Sequence, residues 1–477
     1  MLTTECWMLL SGVRPGCSSG FACHGCDFQR AILQLTIMRT FVAILFFLFV
    51  LPLAILWSMS SSPVVTIPDS LTALGQTTPV TVHVADPHGV REVSVSVEQN
   101  GAEYKVADVK QPARRFRWER NAAAGEWHFT AGAKAIPQLK DGKARLIVVA
   151  VSNDFRAKTS RLEREVMVIT RPPMLSVDSD QHYLYIGMAD LVTFNVSGYT
   201  TDSGVKVGDE RFRAWPMPGG KPGYFSLFAF PWNMPPSTVP LVYADNPGSE
   251  VTGSMVYQFP RNEQPKYRVR DLEISDAFMQ KVVNELDPNG SGDMVDRFVK
   301  INREMRIANN KTLADLRLKS EARFLWSQPF LQQPNTKVEA NFADTRNYVY
   351  HGKKIDQETH LGYDLSSTQH VGVVASNDGK VVYAAPLGIY GNCIVLDHGY
   401  GLQSVYGHMS EIDVHEGDMV KRGQVMGKSG TTGMAGGDHI HFSMLLEGVQ
   451  IDPKEWWDAH WIKDHIARRV ELAGFSN

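Results

Sequence analysis

Phe41 to Trp57 is a run of 17 residues without a charge, interrupted only by Pro52. A run of this length is at the lower limit of a membrane-spanning helix and longer than the apolar part of a typical cleaved leader. Arg30 and Arg39 precede it, and the next basic residue is Arg91, so charge asymmetry places the bulk of the chain on the exported side. Trp57 suits the interface, and Ser58-Met59-Ser60 offers small residues to a signal peptidase, so an anchor and a cleaved leader both fit. Met38-Arg39-Thr40 has the form of a natural start. Residues 1–37 then read as a poorly structured tail ahead of that start, although Cys23-His24-Gly25-Cys26 has the look of a metal knuckle with Cys6 and Cys17 beside it.

The 477 residues are too many for one core and suggest about three domains. A composition of 43% hydrophobic and 21% charged residues excludes wholesale disorder, and a net charge of −3 gives no electrostatic case for nucleic acid. Beyond residue 60 the one cysteine is Cys393, so this part cannot form an internal disulfide.

Ser60 to Pro63 reads as a linker between the membrane segment, 38–60, and a β module over 61–172. Here Pro79–Val84 and Val93–Val97 alternate, Asn100-Gly101 marks a hairpin, and Leu146–Val151 reads as a strand buried on both faces. Such short strands predict an immunoglobulin-like sandwich. A second β module over 173–262 is rich in aromatics, with Tyr224–Phe230 expected in a sheet core, although stacking on a sugar chain is the other use of such a run. A helical connector follows over 263–335, with helical spacing in Ser275–Leu286, Met294–Ile307 and Lys311–Trp326. Asp287 to Asp293 begins like a calcium loop but has Phe298 where the final Glu should stand, and so reads as a turn. The last segment, 336–477, returns to short strands and ends in a Trp-rich helix. The fold class is thus mainly β and multidomain.

Chemistry concentrates in this last segment. His360 and Asp364 are four apart, and His439 and His441 are an i, i+2 pair whose rings share a face if they lie on a strand. With His408, these residue types match a catalytic zinc site, which takes three protein ligands and keeps one position for water. One histidine of the pair could hold the metal while the other reaches the water.

From about Val338 to Pro453 the sequence resembles the lysostaphin/LytM-type zinc metallopeptidases, which cut peptide cross-links of bacterial peptidoglycan. The resemblance rests on an ordered series: His360-x-x-x-Asp364, Gly379-Lys380-Val381-Val382, Gly391 to Gly399, Tyr406-Gly407-His408, Glu416 to Gln424, and His439-Ile440-His441-Phe442. It implies Zn2+ held by His360, Asp364 and His441, with His408 and His439 as the catalytic histidines. It also implies peptidoglycan peptides as the substrate, and the apolar run adds the location, the cell membrane with the bulk exported to the periplasm or cell-wall side; a regulatory protein partner is the further candidate. The chain departs from the family with Asp438, Ile440 and Ser443 around the histidine pair. Tyr348 and Tyr350 are candidates for an upstream tyrosine that helps the transition state. Some relatives have lost ligands and serve as activators or scaffolds of other wall hydrolases; retention of all five residues points to an enzyme. The preceding modules are expected to set the reach of the site or to cover it.

Overall fold

The computed structural model describes residues 24–114, 121–178, 182–246, 249–254, 257–258, 265–472 and 474–475. Cys6, Cys17 and Cys23, and with them the metal-knuckle reading, lie outside these residues.

The first helical segment is longer than its apolar run. Helix α1, His24–Leu45, passes through a π turn, Phe46–Val50, into α2, Leu51–Met59. Residues 24–37 therefore join the helix, which corrects the expectation of an unstructured tail. Pro52 explains the π turn: it lacks an N–H and its ring clashes with the carbonyl four residues back, so the turn before it widens. Ile32–Met59 is long and apolar enough, by length and composition, to cross a membrane.

The chain divides into two compact units. The first holds this helix and most of the β strands up to residue 166. Its strands form one sheet of Val64–Thr66, Thr78–Ala85 and Gly125–Ala131, and another in which Thr159–Val168, Gly142–Ser152, Val90–Gln99 and Ala102–Lys110 are neighbours in that order. Asn100 and Gly101 close the tight hairpin with φ of 54° and 80°, as the Asn-Gly pair predicts.

The second unit contains everything from Met167 onward. Two four-stranded antiparallel sheets come first. In one, Trp215–Pro216, Tyr224–Ala229, Ala189–Ser197 and Met174–Val177 lie side by side; the other is Glu210–Arg213, Asp202–Val207, Leu241–Asn246 and Ser249–Ser254. Phe225, Leu227, Phe228 and Phe230 are buried, so the aromatic run is core. The core they form continues without a break into that of the C-terminal segment.

Between these lie helices α3, Asp276–Leu286, α4, Met294–Lys300, and α5, Arg306–Asp315. Ser275 caps α3 by accepting from the Phe278 N–H, and Asp293 caps α4 through Val295 and Asp296. Asp287 accepts from Arg297 Nε at 2.9 Å, so the calcium-like stretch is a turn. The third predicted helix ends early. After α5 and a 3₁₀ turn, Leu316–Lys319, the chain leaves helical geometry, because Asp397 captures the Ser320 hydroxyl and the Glu321 N–H at 2.6 and 2.9 Å. Trp326 and Phe330 then insert into the core. The connector, expected to be helical, also holds a short strand, Val269–Glu273, which pairs in parallel with Thr345–Tyr350.

The C-terminal segment is built on one antiparallel sheet in the order Lys337–Ala340, Tyr363–Ser366, Ile440–Leu446, Leu402–Met409, Asn392–Gly399, Gly379–Pro386, Met419–Val420. The chain as a whole is mainly β, as its alternation predicts.

Candidate active site

Strand register brings the distant motifs together. Asp364 lies opposite His441 on adjacent strands, and His441 lies opposite Gly407 on the next. His360 arrives from the loop before Tyr363–Ser366, pinned by two backbone bonds with Ala343 and Asp344 at 2.7 and 2.8 Å. Gly362 is required here, because a Cβ would stand 2.7 Å from His441 Cε1 and 2.4 Å from Ser443 Oγ.

His360, Asp364 and His441 are all buried, and they form a group able to hold a metal ion. His360 Nε2 is 2.9 Å from Asp364 Oδ1 and 3.0 Å from His441 Nδ1, and the last pair closes the triangle at 3.2 Å. The outward nitrogens show which atoms carry protons. His360 Nδ1 is 3.0 Å from the Asn341 carbonyl, which can only accept, so Nδ1 carries the proton. Ser443 gives its one hydroxyl proton to the Leu361 carbonyl at 2.6 Å and therefore accepts from His441 Nε2 at 2.8 Å. Burial first, with lesser contributions from neighbouring charge, pushes His360 below the usual histidine range and His441 down to about 4. Burial alone would raise Asp364, but the charges of His360 and Arg346 hold it well below the carboxylate range. With both imidazoles neutral, these tautomers turn three lone-pair acceptors towards one another. A bound cation reconciles them. Zinc bonds of about 2.1 Å give tetrahedral edges of roughly 3.4 Å, close to this triangle. The residues present fit the metal.

Two more imidazoles complete the cleft. His439 Nδ1 donates to the Gly437 carbonyl at 2.8 Å, turning Nε2 towards Asp364 Oδ1 at 3.5 Å. His408 Nδ1 donates to the Thr432 carbonyl at 2.8 Å, and its ring centre is 4.8 Å from that of His439. In the neutral imidazoles both inward nitrogens carry the lone pair. His408 has a φ of 62°, a left-handed conformation that a side chain pays to adopt and that is typical of functional sites. Burial and then His439 and His441 hold its pKa well below the usual value. Burial pulls His439 down as well, but contact with Asp364 outweighs this and leaves it raised. All five residues singled out from the sequence line one cleft of about 470 Å³.

Of the two candidate tyrosines, Tyr348 lines this cleft. Tyr350 instead donates to Asp276 at 2.8 Å. Asp438 holds the His370 N–H at 3.1 Å and so ties a neighbouring loop to the segment that carries His439. Two further residues contribute that no motif in the sequence assigns to the site. Arg346 donates to the outer oxygen of Asp364 at 2.5 Å, and nothing in its surroundings marks it. Ser443 had a signal, since it stands where the family has Glu. Groups that orient metal-ligating histidines typically contribute 10–100-fold to affinity, so Ser443→Ala should weaken zinc binding by about that factor in a chelator competition.

The Peptidase family M23 profile matches residues 358–453. The DD-carboxypeptidase/endopeptidase Mpg of Neisseria meningitidis is 30% identical over 118 residues, covering 25% of this chain and 26% of Mpg. The murein hydrolase activator NlpD of Salmonella dublin is 34% identical over 93 residues, covering 19% of this chain and 24% of NlpD. The chain thus spans about a quarter of the length of these relatives. The solved catalytic domain of the antimicrobial peptidase lysostaphin from Staphylococcus simulans is 24% identical, covers 30% of this chain and 96% of that one, and gives a TM-score of 0.20.

A metallopeptidase-type domain on an antiparallel sheet is therefore the class that the C-terminal fold and its matches define. Residues 358–453 of the chain are a peptidase family M23 domain.

Proposed function

We propose that this protein is an exported, membrane-anchored zinc endopeptidase that hydrolyses peptide bonds in the stem peptides or cross-links of bacterial peptidoglycan. The observation that carries the reading is the triangle of unprotonated acceptors His360 Nε2, Asp364 Oδ1 and His441 Nδ1, faced by two further inward imidazole nitrogens.

His360, Asp364 and His441 would hold the metal. When bound, zinc supplies a Lewis acid that acidifies water and polarises a scissile carbonyl. The protein's own residues do the rest. His408 and His439 present Nε2 lone pairs that accept the proton of the attacking water and return it to the leaving amine. Arg346 fixes the outer oxygen of Asp364 and leaves the inner one for the metal. The helix ending at Met59 anchors the chain, and the modules after it carry the site towards the wall.

The activator reading draws support from the match to NlpD. Retention of the complete residue set favours the enzyme. The full chain, purified in detergent and loaded with zinc, should release soluble peptides from peptidoglycan. A chelator should abolish this and added zinc restore it. Mass spectrometry of the products identifies the bond cut. A zinc-loaded protein that releases nothing, yet stimulates a separate wall hydrolase, would establish the activator role instead.

A further inference from the structure

The histidine-orienting carbonyls of Thr432 and Gly437 both belong to one loop, residues 429–438. Gly430, Gly433, Gly436 and Gly437 make up four of its ten positions. Glycine gives such a loop wide backbone freedom, so its shape depends on what grips its backbone. The peptidase sheet grips one side: the Thr432 hydroxyl accepts from the Asn392 N–H at 2.9 Å and donates to the Met409 carbonyl at 2.8 Å, and the Met434 N–H donates to Ile389 at 2.9 Å.

The other side is gripped from outside the stretch that matches the family. Lys281 of α3 directs its ammonium at three loop carbonyls: Thr431, Gly433 at 2.6 Å and Ala435 at 3.3 Å. Three carbonyls match the three N–H donors of an ammonium. One turn on, Glu285 accepts from the Gly433 N–H at 2.5 Å and lies 3.3 Å from the Lys281 ammonium. Phe278, one turn before, lies beside Gly436, its ring 3.9 Å from where a Cβ there would stand. Residues 278, 281 and 285 share one helix face. Beside this face of α3, Met279, Val282 and Val283 are buried in the same core as Ile389 and Tyr390, so the clamp stands on a packed base.

We infer that α3 is a working part of the active site, in which Lys281 and Glu285 are positioning residues that hold the 429–438 loop so that its Thr432 and Gly437 carbonyls fix His408 and His439. The inference rests on the proposed hydrolytic function, and it makes the helical connector more than a spacer. The clamp also gives α3 a reason to stay over the loop during turnover, where a cover would have to leave.

The test uses the full chain in detergent with Lys281→Met, which keeps the aliphatic stem and removes the donors, and Lys281→Arg, which keeps donors. Bound zinc, kcat and KM on a defined muropeptide, and the imidazole ¹⁵N signals of His408 and His439 are read for each. Misplacement by about 1 Å can cost about 100-fold in rate. Lys281→Met should therefore lower kcat by about 10- to 100-fold with zinc content and KM unchanged, and Lys281→Arg should recover most of the loss. The ¹⁵N signals should pass from a single Nδ1–H tautomer to a mixture in Lys281→Met. Wild-type kcat in Lys281→Met, zinc loss in proportion to the fall in rate, or a rise in kcat would each overturn the inference, the last by making α3 a cover. If the zinc-loaded wild-type protein cuts nothing, the hydrolytic reading fails by itself, and the tautomer signals alone decide the clamp.

Discussion

His441→Ala should leave a protein that neither retains zinc nor cuts peptidoglycan. The effect is expected to be complete because His441 is the centre of the triangle's geometry. It faces Asp364 across one strand pair and Gly407 across the other, and its Nδ1 lies 3.0 Å from the His360 nitrogen. Removing it leaves two ligands from one short segment, too few for a catalytic zinc site with its usual three. Rate and metal content should fall together, the rate to that of the chelated wild-type protein. Zinc retained at one equivalent in His441→Ala, with activity intact, would remove this residue from the metal and the triangle from the mechanism. The fold should survive, since strand Ile440–Leu446 keeps its apolar core residues Ile440, Phe442, Met444 and Leu446. A preserved circular dichroism spectrum would separate metal loss from unfolding.

Most of the candidate site is legible in the sequence, and much less of what supports it, for a physical reason. Metal ligands and proton-handling groups come from few residue types at fixed spacings, so His360, Asp364, His408, His439 and His441 stand out. Their strand period also predicts which rings share a face. Turn chemistry is similarly local, and Asn100-Gly101 and the Asp287 turn were legible from it. Supporting contacts are not local. Lys281 lies 150 residues from Thr431, and a lysine on an amphipathic helix has the same appearance whether it grips three carbonyls or faces water. The early end of the third helix has the same origin, because the carboxylate that breaks it, Asp397, is 77 residues away from Ser320. Strand Val269–Glu273 was missed because three of its five residues are charged; it is an exposed edge held by parallel pairing to Thr345–Tyr350 rather than by burial. Ser443 lay between these cases: its departure from the family was visible, but its bond to His441 required the fold.

The second large effect separates chemistry from metal binding. His408→Ala and His439→Ala should each keep zinc and each lower kcat by about 10²–10⁴-fold, the usual worth of a positioned acid–base group. Neither residue belongs to the triangle: each gives its Nδ1 proton to a loop carbonyl and turns Nε2 inward. The two rings lie 4.8 Å apart, near enough to act on one proton path. Groups that act as a unit are not additive, so the double variant should be scarcely slower than the worse single one. Full additivity would mean that the histidines serve separate steps. A single variant that loses zinc along with its activity would move that histidine into the metal's ligand set. A single variant with undiminished kcat and a full zinc complement would leave its partner as the sole acid–base group, and the strained φ of 62° at His408 would then need another purpose.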